Sequence, residues 1–376
     1  MNNSVPANNG TAFANRWVVI GAPLGCELLT ILTERHRMCQ TESLPMVCPK
    51  IARYVSVAAL AATQLCIAGP AQLASFTQRL VQVEQLRAHE HYGQALAALQ
   101  SLLQDIRKEE SDPRLEALVL DKIALNEQET GHYTSSEIAF NHVLDALSNE
   151  PADSALLITA RMHLAELYIA EVRPADAEPI LRQALQSEQA SAKSIPMLRS
   201  VLNEDLAVTC IMQRKFSEPE ALLRESQAII AKEYGPADPR MASSLLTYAG
   251  MMTLQHRYSD AVEPAERALD ILDHGPQPVP RPYRASALSV LAVVYYRVGR
   301  NAEAVDAALK SIELATASLG PKHPRLGIYL SNYATILKGS GRKNQAKAIE
   351  RQAQEIRDQY PSSTSGGYTV SVLSLH

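Results

Sequence analysis

From Gly235 to Ala353 the chain repeats itself, and this limits its fold more than any other feature. Gly235-Pro-Ala-Asp-Pro-Arg240 leads into Leu245-Leu-Thr-Tyr-Ala249, then Arg257, Ala261 and Ala268. Gly320-Pro-Lys-His-Pro-Arg325 leads into Leu330-Ser-Asn-Tyr-Ala334, then Arg342, Ala346 and Ala353. The offset is 85 residues throughout, and a third copy (Leu288, Ala292, Arg300, Ala304) stands between at steps of 43 and 42. Upstream, Ala292, Ala249, Ala207, Ala165 and Ala124 are spaced 43, 42, 42 and 41, and twelve residues after each comes Ala304, Ala261, Pro219, Ala177 or Ser136. Pro196, Pro239, Pro282 and Pro324 keep the same step, and one period back from Ser136 stands Ala95. The count is seven units between about Leu73 and Arg357. A fixed period in the range of 20 to 50 residues signals a solenoid.

Each unit reads as two helices. A proline opens the first, where its missing N–H costs nothing, with Asp112, Asp238 or His323 placed to cap it. Apolar residues then recur at three and four, as in Leu288, Leu291, Ala292 and Tyr295. A short turn follows, Val298-Gly299-Arg300 or Thr130-Gly131-His132, and the second helix carries Ala304, Ala308 and Ile312 or Ala177, Leu181 and Ala184. Alanine at these places lets the paired axes approach, and Tyr168, Met252 and Tyr295 fill the space one turn away.

These residues resemble the tetratricopeptide repeat, in the long form of roughly 42 residues typified by kinesin light chain. The carrying motifs are Gly-Pro-x-x-Pro-Arg at 235–240 and 320–325, the mid-helix alanines 165, 207, 249, 292 and 334, and Ala-Glu-Pro-Ile-Leu-Arg-Gln-Ala-Leu at 177–185. The resemblance covers about three quarters of the chain, residues 72–358. It implies an all-α fold, a right-handed superhelical solenoid of helix–turn–helix repeats. It further implies that the first helices line a concave groove holding a protein or peptide ligand. Counted from the alanines, the groove set is Met162, Glu166, Ile169, Glu204, Val208, Ile211, Leu246 and Tyr296. Of the asparagine ladder of the kinesin-light-chain type only Asn332 survives; Val290, Thr247, Asp205 and His163 replace the rest. The lysine of relatives that clamp a C-terminal carboxylate is absent from the middle units.

The N-terminal text differs. Lys50 and Arg53 precede an apolar core, Tyr54 to Ala68, and then Gly69-Pro70-Ala71. A basic flank, an apolar core and a small-x-small end is the layout of a secretory signal peptide. The core is short for a spanning helix, which needs about 20 residues. The expectation is a signal peptide over Met46–Ala71, cleaved before Gln72, and a periplasmic or secreted product. The alternative is a cytoplasmic chain in which 46–71 is a buried or membrane-resting helix. Residues 1–45, with the sole Trp17, are expected to be a non-native extension or disordered, the start lying at Met46 or Met38.

Without residues 1–71, which hold five basic and three acidic residues, 31 Lys and Arg face 37 Asp and Glu. No basic footprint for nucleic acid remains, and a membrane would be touched only through an uncleaved N-terminal segment. Cys210 is then the single cysteine, at the packing position of Tyr168 and Met252, and reads as a buried inert thiol. The sequence holds no phosphate loop, paired-cysteine site, His-Glu-x-x-His or nucleophile elbow. His89-Glu90-His91 is the nearest thing to a metal pair and lacks a third ligand. The expectation is no enzyme, no metal and no cofactor. Residues 359–376 read as a flexible tail, and no extra polar helix closes the array.

Two functional readings follow. One is a non-enzymatic scaffold or adaptor that binds a partner peptide in its groove, exported to the envelope. The other is a ligand- or peptide-responsive regulatory sensor that controls a separate output protein.

Overall fold

The structure, a computed structural model, describes residues 70–88, 91–109, 112–130, 132–275, 279 and 281–359. The 1–45 extension, the signal-peptide core, His89 with Glu90, Gly131 and the tail from Tyr360 lie outside the described residues.

Fourteen helices fill the described residues and pair into seven units. The first unit is α1 (Pro70–Ala88) and α2 (Tyr92–Lys108); the second is α3 (Pro113–Glu129) and α4 (Tyr133–Ala146). Then come α5 (Ala155–Ala170) with α6 (Pro174–Ala190), and α7 (Pro196–Met212) with α8 (Pro219–Glu233). The fifth unit is α9 (Pro239–Leu254) and α10 (Val262–His274), the latter led by a 3-10 turn over Ser259–Ala261. The last two are α11 (Arg281–Arg297) with α12 (Asn301–Leu319), and α13 (Pro324–Gly339) with α14 (Lys343–Gln359). Each helix packs on the next, and from α3 onward each first helix also touches the first helix of the following unit. The expected cleavage point before Gln72 falls inside the first turn of α1. Among the described residues no helix is long and apolar enough to cross a membrane.

The local reasons are those of the sequence. Asp112 and Asp238 each accept a hydrogen bond from the backbone two residues on, at 2.9 and 3.0 Å, and His323 Nδ1 accepts one from Arg325 N at 3.2 Å. Ala124, Ala165, Ala207, Ala249 and Ala292 have no exposed surface, and neither do their second-helix partners Ser136, Ala177, Ala261 and Ala304. The approach is close enough that Ser136 Oγ donates to the carbonyl of Ala124 at 2.8 Å. The core is thus a row of clusters, each drawn from a few successive helices, rather than one central mass.

Every described first helix from α5 to α13 ends the same way. The residue seven after the alanine (Val172, Arg214, His256, Gly299, Gly341) has positive φ, between 58° and 83°. Its N–H bonds three residues back, and the next N–H bonds five residues back, as Arg173 does to Tyr168 at 2.8 Å and Arg300 to Tyr295 at 2.8 Å. This is the Schellman closure, which favours glycine. The last two units have glycine; the middle three do not. A β-branched residue in this region is the most strained of them, and Val172 is also 51% exposed, so its side chain packs little. Val172→Gly is therefore expected to stabilise by about 0.5–1 kcal/mol, the left-handed cost of an L side chain less the added entropy of glycine. A thermal melt of the variant below wild type contradicts this.

The next residue in each turn is basic, and it ties the units together. Arg173 bonds Glu137 of the preceding second helix at 3.2 Å, and its guanidinium lies 4.3 Å from the Tyr168 ring centre. Tyr168 in turn donates to Glu137 at 2.8 Å. Arg300, Tyr295 and Glu266 repeat the arrangement three units later, at 3.0, 3.9 and 2.8 Å. Burial and then the glutamate bond push both tyrosine hydroxyls up to about 12. Lys215 holds Glu178 at 2.7 Å, and Arg257 with Tyr248 holds Glu220 at 3.3 and 3.1 Å. These charged pairs are thus links between successive units.

Glu178 gives a pH signature. The hydrogen bond from Lys215 first, then those from Gln213 and Arg182, outweigh its burial and lower its carboxyl to about 2. A depressed carboxylate stabilises fully above its unfolded value and loses that contribution as pH falls through the folded one. The link between units three and four should therefore loosen between about pH 4.5 and pH 2. Glu178→Gln should melt lower than wild type at pH 6, with the difference vanishing toward pH 2; an equal difference at both pH values refutes the link.

Among the described residues the array ends on α14, whose outer face is polar. On α14 only Ala346, Ala353 and Ile356 are buried, while Lys343, Gln345, Lys347, Arg351, Gln352 and Glu355 face solvent.

Candidate functional site

The predicted groove residues sit where one first helix meets the next. Positions two before the alanine of one unit contact positions three before the alanine of the preceding unit. Two hydrogen bonds fix this register: His163 Nδ1 with Asp121 Oδ1 at 2.7 Å, 42 residues apart, and Asn332 Nδ2 to Ser289 Oγ at 3.1 Å, 43 apart. Ladder positions are therefore spent on contacts between units.

Burial follows from that register. Met162, Glu166, Glu204, Val208, Ile211 and Asn332 are all less than 9% exposed, so neighbouring helices cover most of what they could present. Ile169, Leu246 and Tyr296 remain half-exposed. Glu204 is further engaged, accepting from Ser226 Oγ at 2.7 Å, and Ser226 also bonds Ser200 at 2.8 Å. Tyr296 lies over Gly339 of α13, where any added side chain would collide with its hydroxyl. Among the described residues the face is most open in the last unit: Thr335 and Lys338 are exposed and Ser331 is half-exposed.

Charge also lies buried beside this face in the N-terminal units. Asp121 and His163 are both buried, and Lys122, 3% exposed, reaches Glu84 at 3.2 Å, which also holds Arg87 at 3.1 Å. Burial pushes the Asp121 carboxyl up, but the charge and hydrogen bond of His163, with Lys122 and Arg87 near, leave it below the usual carboxylate range. The signal was present as an ionisable residue at a ladder position, with another 42 residues before it.

Among the described residues no three His, Cys, Asp or Glu side chains are grouped to hold a metal ion. Cys210 is free and buried, and burial, followed by the charge of Glu218, raises its thiol above the ordinary value, which makes it a poor nucleophile.

The tetratricopeptide repeat family model matches residues 283–359, which span α11 to α14. No curated protein matches the chain. Three solved structures share its fold. The apo form of RapI is 12% identical, with 76% of this chain and 99% of that chain covered, at a TM-score of 0.60. The apo form of the quorum sensor NprR from B. thuringiensis is 13% identical, with 88% and 97% covered, at 0.58. A Rap protein complexed with Competence and Sporulation Factor is 13% identical, with 90% and 99% covered, at 0.55. The period of 42 to 43 residues seen in the contacts between units marks the long form of the repeat. Residues 283–359 thus match the tetratricopeptide repeat, and the described chain folds as an α-solenoid of helix–turn–helix units.

Proposed function

We propose that this solenoid is a non-enzymatic scaffold that holds a segment of a protein partner along the face of its first helices. The observation that supports this is the surviving accessible set on that face: Ile169, Leu246 and Tyr296, continued by Thr335 and Lys338 at the open end. Tyr296 is the expected anchor, since aromatic residues dominate such contacts. With Glu204 already bonded to Ser226, acidic attraction contributes little, and affinity for an isolated peptide is modest because ordering costs offset the apolar area buried. Export to the cell envelope rests on the layout from Lys50 to Ala71, and N-terminal sequencing of the expressed protein tests it; a stable cytoplasmic product retaining residues 46–71 refutes it.

A pull-down from the native envelope fraction tests the scaffold reading. Tyr296→Ala and Leu246→Asp should lose partners that wild type retains. Loss instead through Arg224→Glu or Lys310→Glu on the second helices, or through deletion of 361–376, refutes it. A second reading, a sensor controlling a separate output protein, is favoured by two fold neighbours, one complexed with Competence and Sporulation Factor and one described as a quorum sensor.

A further inference from the structure

Four of the six units that carry the packing alanine place a leucine four residues before it: Leu120, Leu245, Leu288 and Leu330, each at most 9% exposed. The two consecutive units between them break the rule with Arg161 and Asn203. Asn203 has no exposed surface, and neither its amide nitrogen nor its oxygen has a partner. Arg161 likewise has a buried Nη1 with no partner. Leaving such donors unsatisfied is costly, so two polar residues in place of leucine call for a reason.

Around Arg161 the structure supplies one. The residue borders a depression of about 350 Å³ between α4, the α4–α5 connection, α5 and α6. Leu144, Leu147 and Leu157 form its apolar wall, and Ser148 and Gln183 add a hydroxyl and an amide. Glu150 also lines it, but its carboxylate is already held by Arg114 Nε at 2.6 Å and Ser154 Oγ at 3.0 Å. One positive charge is left over. Burial alone lowers the Arg161 value from that of a free guanidinium.

We propose that this depression binds an organic carboxylate on a branched apolar stem, with Arg161 as its counter-ion. A planar guanidinium matches a carboxylate through two parallel hydrogen bonds. The volume lies at the small end of ligand sites, which are mostly apolar with a few placed polar groups. A single free cation beside three leucines and the Glu150 carboxylate suits a monoanion with a greasy stem better than a phosphate. The lining comes from α4, α5 and α6 and includes none of the groove candidates, so this site stands or falls apart from the first-helix face.

The source of the carboxylate is either a free acid or the C-terminus of a polypeptide. Calorimetric titration of the whole chain with 4-methylpentanoate, N-acetyl-leucine and N-acetyl-leucinamide tests both. Saturable binding of the acids, with the neutral amide silent, is the expected result; preference for N-acetyl-leucine assigns a polypeptide C-terminus and preference for 4-methylpentanoate a free acid. Arg161→Gln should weaken the acids at least ten-fold. Arg161→Leu should abolish binding and raise the melting temperature of the free protein, because it restores the leucine of the other units. The proposal is overturned if neither acid binds, if the amide binds equally well, if Arg161→Gln changes nothing, or if Arg161→Leu melts below wild type.

Discussion

Replacing His163 with leucine is expected to destabilise the second and third units by about 3–5 kcal/mol, the cost of stripping a partner from a buried charge. His163 Nδ1 bonds Asp121 at 2.7 Å, and the two side chains are 1% and 10% exposed. Without the imidazole, Asp121 keeps only the more distant help of Lys122 and Arg87, which places the effect toward the lower end. The double variant Asp121→Leu with His163→Leu should recover most of the loss, since Leu246 and Val290 stand at the equivalent positions of later units. The pH dependence has a definite sign. Asp121 lies below its ordinary range, so its contribution is complete above the unfolded value of about 3.9 and is lost as pH falls through the folded one. Melting of wild type and His163→Leu should converge in strong acid. A His163→Leu protein as stable as wild type at pH 7 would mean that the pair adds nothing.

Ala249→Leu is the second large effect. Ala249 has no exposed surface and sits in a cluster with Met252, Ala261 and Ala265 at the crossing of α9 and α10. Three extra carbons at a helix crossing force the axes apart, which costs about 1–3 kcal/mol. Because a repeat touches only its neighbours, the damage should be local. Hydrogen exchange should rise in α9 and α10 and their immediate neighbours while α3 and α4 keep wild-type protection. A uniform rise over all units would show that the array unfolds as one block, and no rise at all would place Ala249 away from the crossing.

The repeat was legible because its cause is short-ranged. Two helices can cross closely only over small side chains, so Ala165, Ala207, Ala249 and Ala292 had to recur at fixed steps, and the caps Asp112, Asp238 and His323 announced themselves by neighbouring prolines. What lay beyond the sequence depends on how one unit is set against the next. The side of the first helix that carries Met162, Glu204 and Asn332 can be read from the alanines, but whether it faces open space depends on the pitch of the superhelix, which no single unit encodes. The links through Arg173, Lys215, Arg257 and Arg300 fall between these cases. Each stands eight residues after its alanine, a visible regularity, and the glutamate it meets lies in the preceding unit, directly after the second-helix packing residue for Glu137, Glu178 and Glu220 but five residues after it for Glu266.

The first-helix face is tested most directly by site-specific photocrosslinking in cells. A benzophenone side chain at Leu246 or Tyr296 on that face, and at Ile138 or Leu309 on the second helices, samples both sides; the last two are 54% and 48% exposed, so reagent access favours them. A discrete crosslinked partner from Leu246 and Tyr296, with none from Ile138 and Leu309, is the predicted result. The same partner captured from Ile138 or Leu309, with Leu246 and Tyr296 silent, would contradict it and move the interaction to the outer face.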